Sequence, residues 1–216
     1  MHSARSITRQ LLSMAEAAAV SDNPTATMVA VVQHNAGTDV EQNLSTLETL
    51  SAQAASEGAQ LVTWAEAFAY LGRHDGKKDI LESLPEGGPI LERCQRLART
   101  LNCDLLLGGF HEAMPGDTER CYNTSVYLNS HGEIIATYRK IHLFDVSIVN
   151  GPQLMESKQT GPGDQAVCVE TPLGTLGLTI CYDVRFPALY QRLVEMGAMA
   201  LTVPSAFTAT TGAAHW

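Results

Sequence analysis

The sequence contains no CxxC pair, and its 14 Lys and Arg residues fall short of its 23 Asp and Glu, which leaves a net charge of −9. No apolar run approaches the ~20 residues that a bilayer-spanning helix requires. The missing CxxC spacing excludes a zinc ribbon or a thioredoxin-type site. Five cysteines (Cys94, Cys103, Cys121, Cys168 and Cys181), odd in number and without tight spacing, argue against a disulfide framework. Reduced thiols in a cytoplasmic compartment are therefore expected. An acidic surface repels phosphate backbones, so no nucleic acid is expected as a partner, and no membrane either. Gly174 to Gly177 (GTLG) lacks the GxGxxG spacing and does not open a helix, which speaks against a dinucleotide site. His111, His142 and His215 lack an HExxH spacing, so no metal and no cofactor are expected. Internal repeats, low-complexity tracts and interdomain linkers are absent.

What is present suits a globular domain: 45% of the 216 residues are hydrophobic and 17% charged. The first 25 residues stand apart. They carry Arg5 and Arg9, no acid before Glu16, and Ile7, Leu11, Leu12 and Ala15 at helical spacing. Two readings stay open for residues 1–25: a plain N-terminal extension, or a mitochondrial transit peptide. From residue 26 onward the pattern alternates. Met28 to Gln33 predicts a buried strand, and Asp39 caps a predicted helix with Val40, Leu44, Leu47, Leu50 and Ala54 on its apolar face, ended by Gly58. Gln60 to Trp64 predicts a second strand. Residues 72–89 read as loop with one helical turn, and residues 90–101 as an amphipathic helix. Asp104 to Phe110 predicts a strand, Cys121–Asn129 and Glu133–Tyr138 a hairpin, and 144–164 an irregular stretch. Ala166–Glu170 and Leu176–Ile180 form a second predicted hairpin. A helix from about Phe186 to Gly197 and a strand from Ala198 to Val203 follow. Strand–helix alternation mixed with hairpins indicates an α/β domain with mixed sheets.

Catalytic groups favour strand exits, where the sheet fixes position and the loop gives access. Three exits carry reactive side chains: Glu66 in WAEAF, Lys140 in YRKIH and Cys181 in TICYDVRF. A thiol, a carboxylate and an ammonium in one cleft would suffice for acyl transfer. Cys181 needs a lowered pKa or an adjacent base, and Lys140 and a nearby helix N-terminus would both favour its thiolate. Taken singly, each residue also has a plainer reading: a small core cysteine, a solvated glutamate, a solvated lysine.

The strings QLVTWAEAFAYLG, LLLGGFHE, YRKIHLFDV, QLMESK, GLTICYDVRFP and VPSAFTATTGAAHW, in this order from Met28 to the last residue, resemble the nitrilase superfamily of carbon–nitrogen hydrolases, within it the Nit branch of small-molecule amidases. The resemblance implies that Glu66, Lys140 and Cys181 form the catalytic triad and that Glu156 is a supporting second glutamate. It implies a four-layer α-β-β-α sandwich spanning residues 26–216, pairing into homodimers or larger homo-oligomers. It also implies cleavage of a linear carboxamide to acid and ammonia through a thioester, with Tyr182, Arg185, Phe207 and Thr211 facing the substrate. An arginine at 185 suits a substrate carboxylate, and its plainer reading is a surface ion pair. GGFHE and TTGAAHW are nearer to the branch acting on deaminated glutathione. YRKIHLFD and QLMESK also resemble the ω-amidase branch acting on 2-oxoglutaramate.

Two departures from the pattern matter. Ala65 stands where the family places proline, which predicts a less rigidly held Glu66. The similarity also predicts that relatives continue past Trp216, so that the domain is incomplete at its C-terminal end with its C-terminal strands missing, and poorly soluble and weakly active when expressed alone. From another functional class, a non-catalytic remnant serving as a binding or assembly partner is the rival; retention of all the catalytic-position residues tells against it.

Overall fold

The computed structural model describes residues 27–147 and 153–207, together with 209, 212 and 213. The expectations for residues 1–25 and for Thr211 lie outside the described residues. In chain order the elements are β1 (Val29–Val31), α1 (Val40–Ser56), β2 (Leu61–Thr63), α2 (His74–Lys78), α3 (Pro89–Leu101), β3 (Asp104–Ala113), β4 (Cys121–Leu128), β5 (Ile134–Arg139), β6 (Asp145–Ser147), β7 (Gln153–Met155), β8 (Val167–Thr171), β9 (Gly174–Leu178), α4 (Pro187–Glu195) and β10 (Ala200–Leu201). A five-stranded sheet runs β1-β2-β3-β4-β5, and a three-stranded sheet runs β10-β9-β8. β1, β2 and β3 pair in parallel, whereas β3-β4-β5 form an antiparallel meander. β6 and β7 make a separate two-stranded hairpin.

The alternation of side chains along the strands builds the layers. Val62, Leu105, Leu107, Val126 and Leu128 point to one side of the large sheet, where they pack with Leu44 and Leu47 of α1 and Leu91, Cys94 and Ala98 of α3. Leu61, Leu106 and Tyr127 point to the other side and meet Val169, Leu176 and Leu178 of the small sheet. The far face of the small sheet is covered by α4, because a Cβ at Gly177 would lie 3.2 Å from Leu193 Cβ. The order α-β-β-α follows, as the sequence implied.

Local signals mostly act as read. Asp39 caps α1 by accepting from the Gln42 amide at 3.0 Å, and Gly58 leaves the helix at φ 99°. Pro187 opens α4 and Gly197 follows it at φ 94°. Three expectations need correction. β1 is not a buried strand: among the described residues it stands at the end of the sheet order, and Val31 is 83% exposed. The irregular stretch 144–164 contains the β6–β7 hairpin and a 3-10 turn at Glu156–Lys158. Cys181 does not close a strand; it opens a 3-10 turn, Cys181–Arg185, three residues beyond the end of β9. No helix among the described residues is long and apolar enough to cross a membrane.

Candidate active site

Glu66, Lys140, Glu156 and Cys181 line one cavity of about 890 Å³. Each arrives from a different exit. Glu66 follows β2, Lys140 follows β5 directly, Glu156 follows β7, and Cys181 follows β9 on the other sheet. The chain folds back on itself to bring Glu66 in. Gly108 and Gly109 sit at an irregularity in the β3–β4 pairing. A Cβ at Gly109 would lie 2.7 Å from the Ala67 amide nitrogen and 2.9 Å from Glu66 Cα, so only glycine allows the approach. Both residues that follow the acid and carry the thiol have left-handed backbone, Ala67 at φ 55° and Cys181 at φ 47°. Such conformations cost energy for residues with a Cβ and cluster at functional sites.

Glu66 is 9% exposed, and both its oxygens are engaged. Oε1 accepts from Asn123 Nδ2 at 2.8 Å and from Lys140 Nζ at 3.1 Å; Oε2 accepts from the Ala206 amide at 2.9 Å. These tertiary bonds hold the carboxylate without the proline ring that Ala65 lacks. Lys140, 2% exposed, also donates to both oxygens of Glu156, at 3.1 and 3.0 Å. Glu156 in turn accepts from the Phe144 amide at 2.6 Å. Burial alone would lower the Lys140 pKa, but Glu66 and Glu156 outweigh it and hold the ammonium above the usual lysine range.

The thiol is not acidified by its surroundings. Burial, then the Glu66 charge and a hydrogen bond to Glu66, push Cys181 up to about 12, against the opposing pull of Lys140 and the Ala206 amide. The pull of Lys140 toward the thiolate is thus present but outweighed. Of the two routes to activation, the adjacent base is the one this geometry provides.

Asp183, fully buried, was not singled out from the sequence. Its Oδ2 accepts from Tyr138 OH at 2.7 Å and from the Ile180 amide at 2.9 Å. Its Oδ1 accepts from the His142 amide at 3.0 Å and lies 2.7 Å from His142 Nδ1. One carboxylate thus fastens the Cys181 turn to both flanks of Lys140. Its signal was the acid two residues after the cysteine in ICYD. Asn123 was missed as well, since a lone asparagine in a strand has no pattern. Among the residues expected to face substrate, Tyr182, Arg185 and Phe207 line the cavity. Tyr182 stands edge-on to Phe144 and Phe186, with centroids 5.0 and 5.4 Å apart.

A four-layer α-β-β-α sandwich with a cysteine, a lysine and two glutamates gathered at strand exits is the architecture of the nitrilase superfamily. The chain belongs to the carbon-nitrogen hydrolase family, whose model matches residues 28–216. It is 44% identical over 192 residues to a Homo sapiens protein named deaminated glutathione amidase, covering 88% of this chain and 58% of that protein. Among solved structures it is similar to the Caenorhabditis elegans NitFhit protein, with 37% identity and a TM-score of 0.80 over 87% of this chain and 46% of that one. It is also similar to an amidase from Nesterenkonia sp. AN1, at 25% identity and a TM-score of 0.70 over 87% of this chain and 70% of that one; that structure shows acrylamide added at the active-site cysteine of a mutant. The chain spans less than two thirds of the length of the human and bovine relatives it matches.

Proposed function

We propose that the chain provides the catalytic site of a cysteine amidase that hydrolyses a small linear amide to an acid and a free amine, or to ammonia where the amide is primary, with deaminated glutathione as the substrate favoured by its relatives' names. The observation that carries this reading is the pairing of Glu66 with both the Cys181 thiol and Lys140 in one cavity. In the first half-reaction Glu66 takes the thiol proton as sulfur attacks the amide carbon. Oxygen gains the negative charge, which Lys140 Nζ and the backbone N–H of Tyr182 stabilise, each such donor being worth on the order of 10²–10³-fold. Glu66 then gives the proton to nitrogen, the C–N bond breaks, and the amine (ammonia from a primary amide) departs, leaving a thioester. In the second, Glu66 takes a proton from water, hydroxide adds to the thioester carbon, and the thiol departs protonated. Glu156 holds Lys140 in place throughout. The resting neutral thiol fits this cycle, because no anion has to be stored between turnovers.

The test compares release of cysteinylglycine from deaminated glutathione with release of ammonia from 2-oxoglutaramate, run beside iodoacetamide labelling of the five cysteines. Turnover of the first amide in excess of the second, lost in Cys181→Ala, is the expected result. Turnover unchanged in Cys181→Ala would remove the cysteine from the mechanism. Faster turnover of 2-oxoglutaramate would reassign the substrate to the ω-amide of a 2-oxo acid.

A further inference from the structure

The charges lining the cavity run against those of the chain. Although the protein carries −9 overall, the cavity is lined by three cations, Lys77, Lys140 and Arg185, and by two carboxylates, Glu66 and Glu156. Lys140 is committed to both carboxylates, and three cations against two carboxylates leave the lining with a balance of one positive charge. Lys77 comes from α2, the one helical turn within the polar stretch 72–89. Its neighbour Lys78 ion-pairs with Glu119 at 3.0 Å, whereas the Lys77 ammonium has neither a hydrogen-bond nor an ion-pair partner among the described residues. Its charge acts on His111 and Cys121, whereas the charges acting on the thiol are those of Glu66 and Lys140. Lys77 therefore belongs to a part of the cavity other than the reaction centre.

A chain of contacts connects the two. His111 faces Asn123 across the β3–β4 pairing, and Asn123 binds Glu66. His111 Nε2 lies 3.1 Å from the Tyr70 carbonyl oxygen. A carbonyl oxygen only accepts, so Nε2 carries the proton and the neutral ring keeps Nδ1 as an acceptor. His111 and Lys77 both line the cavity, which thus pairs an acceptor suited to a secondary amide N–H with an ammonium suited to a carboxylate. Its volume agrees with an elongated occupant. A 2-oxo-acid amide of about ten heavy atoms needs roughly 300 Å³ at water's ~30 Å³ share, well under the 890 Å³ present.

We propose that Lys77, with His111 beside it, forms a subsite for the distal carboxylate of an elongated amide acid, and so selects long substrates over short 2-oxo-acid amides. This rests on the amidase reading for the reaction centre and adds the residue that recognises the far end. A charge-assisted contact of this kind is worth about tenfold or more in affinity.

The experiment measures protection of Cys181 from iodoacetamide by N-glutarylglycine and by its glycine methyl ester, in the native chain, Lys77→Gln and Lys77→Arg. N-glutarylglycine should protect the native chain at about tenfold lower concentration than the ester, which lacks the distal charge. Lys77→Gln should erase that difference and Lys77→Arg should keep it. Equal protection by both probes in the native chain, no protection by either, or a difference that survives in Lys77→Gln would overturn the subsite. Hydrolysis of the amide substrates, read as amine or ammonia released, reports the other reading separately. Protection in the expected pattern with no amide hydrolysed sinks the hydrolase assignment and leaves the subsite standing, whereas hydrolysis without discrimination at Lys77 does the reverse.

Discussion

With both of its oxygens engaged, Glu66 governs the ionisation of the thiol as well as its activation. Glu66→Gln keeps the shape and removes the charge. General acid–base help is lost, so amide hydrolysis should fall by about 10²–10⁴-fold. The repulsion that lifts the Cys181 pKa is also removed, and Lys140 is left less neutralised, so the thiol becomes more acidic. Iodoacetamide should then label Cys181 faster at pH 7 while turnover falls, and a parallel loss of both would mean that the carboxylate acts only by holding the fold. His111 supplies a pH prediction. Burial, helped by the Lys77 charge, lowers its pKa from 6.5 to about 4. Between those values the unfolded chain takes up a proton that the native chain refuses. The neutral ring's contribution is thus present above pH 6.5 and lost as pH falls toward 4, on the order of 3 kcal/mol. Urea unfolding at pH 7 and pH 4.5 should show this loss, and His111→Gln should flatten it.

Elements fix what side chains alone cannot. Gly108 and Gly109 let the backbone around Glu66 press against β3, and their neighbours there are backbone atoms that cannot swing aside. Gly109→Ala should displace the acid by a fraction of an ångström to an ångström, and misplacement on that scale costs about 10²-fold in rate. Amide hydrolysis would report it, with the far-ultraviolet circular dichroism unchanged; full activity in Gly109→Ala would show that the contact is not needed. The two-glycine pair was visible in the sequence as part of a matching string. Its reason was not, because the atoms it makes room for belong to a segment some forty residues earlier.

At the scale of the molecule, the site straddles the two sheets. Glu66 and Lys140 leave the large sheet and Cys181 leaves the small one, so the core between the sheets sets their separation. Leu106 and Leu107 are adjacent, fully buried and of one residue type, but Leu106 faces the inter-sheet core and Leu107 the helix side. Leu106→Ala and Leu107→Ala should each cost about 2–5 kcal/mol in urea unfolding. Only Leu106→Ala should also lower turnover well below the native rate under conditions where both variants are folded. Equal turnover in the two would mean that the sheets hold their spacing without that contact.

The elements were legible in the sequence because local signals act locally: the Asp39 cap and the Gly58 and Gly197 stops all appear where they were read. The reactive residues were legible as strand exits, and as a set only through resemblance. Tertiary structure decided the rest. It exposed Val31, buried Asp183 between the thiol turn and the lysine strand, and left Lys77 facing the cavity. It also settled the state of Cys181: a side chain's ionisation depends on burial and on neighbours distant in sequence, and those exist only once the two sheets have closed on one another.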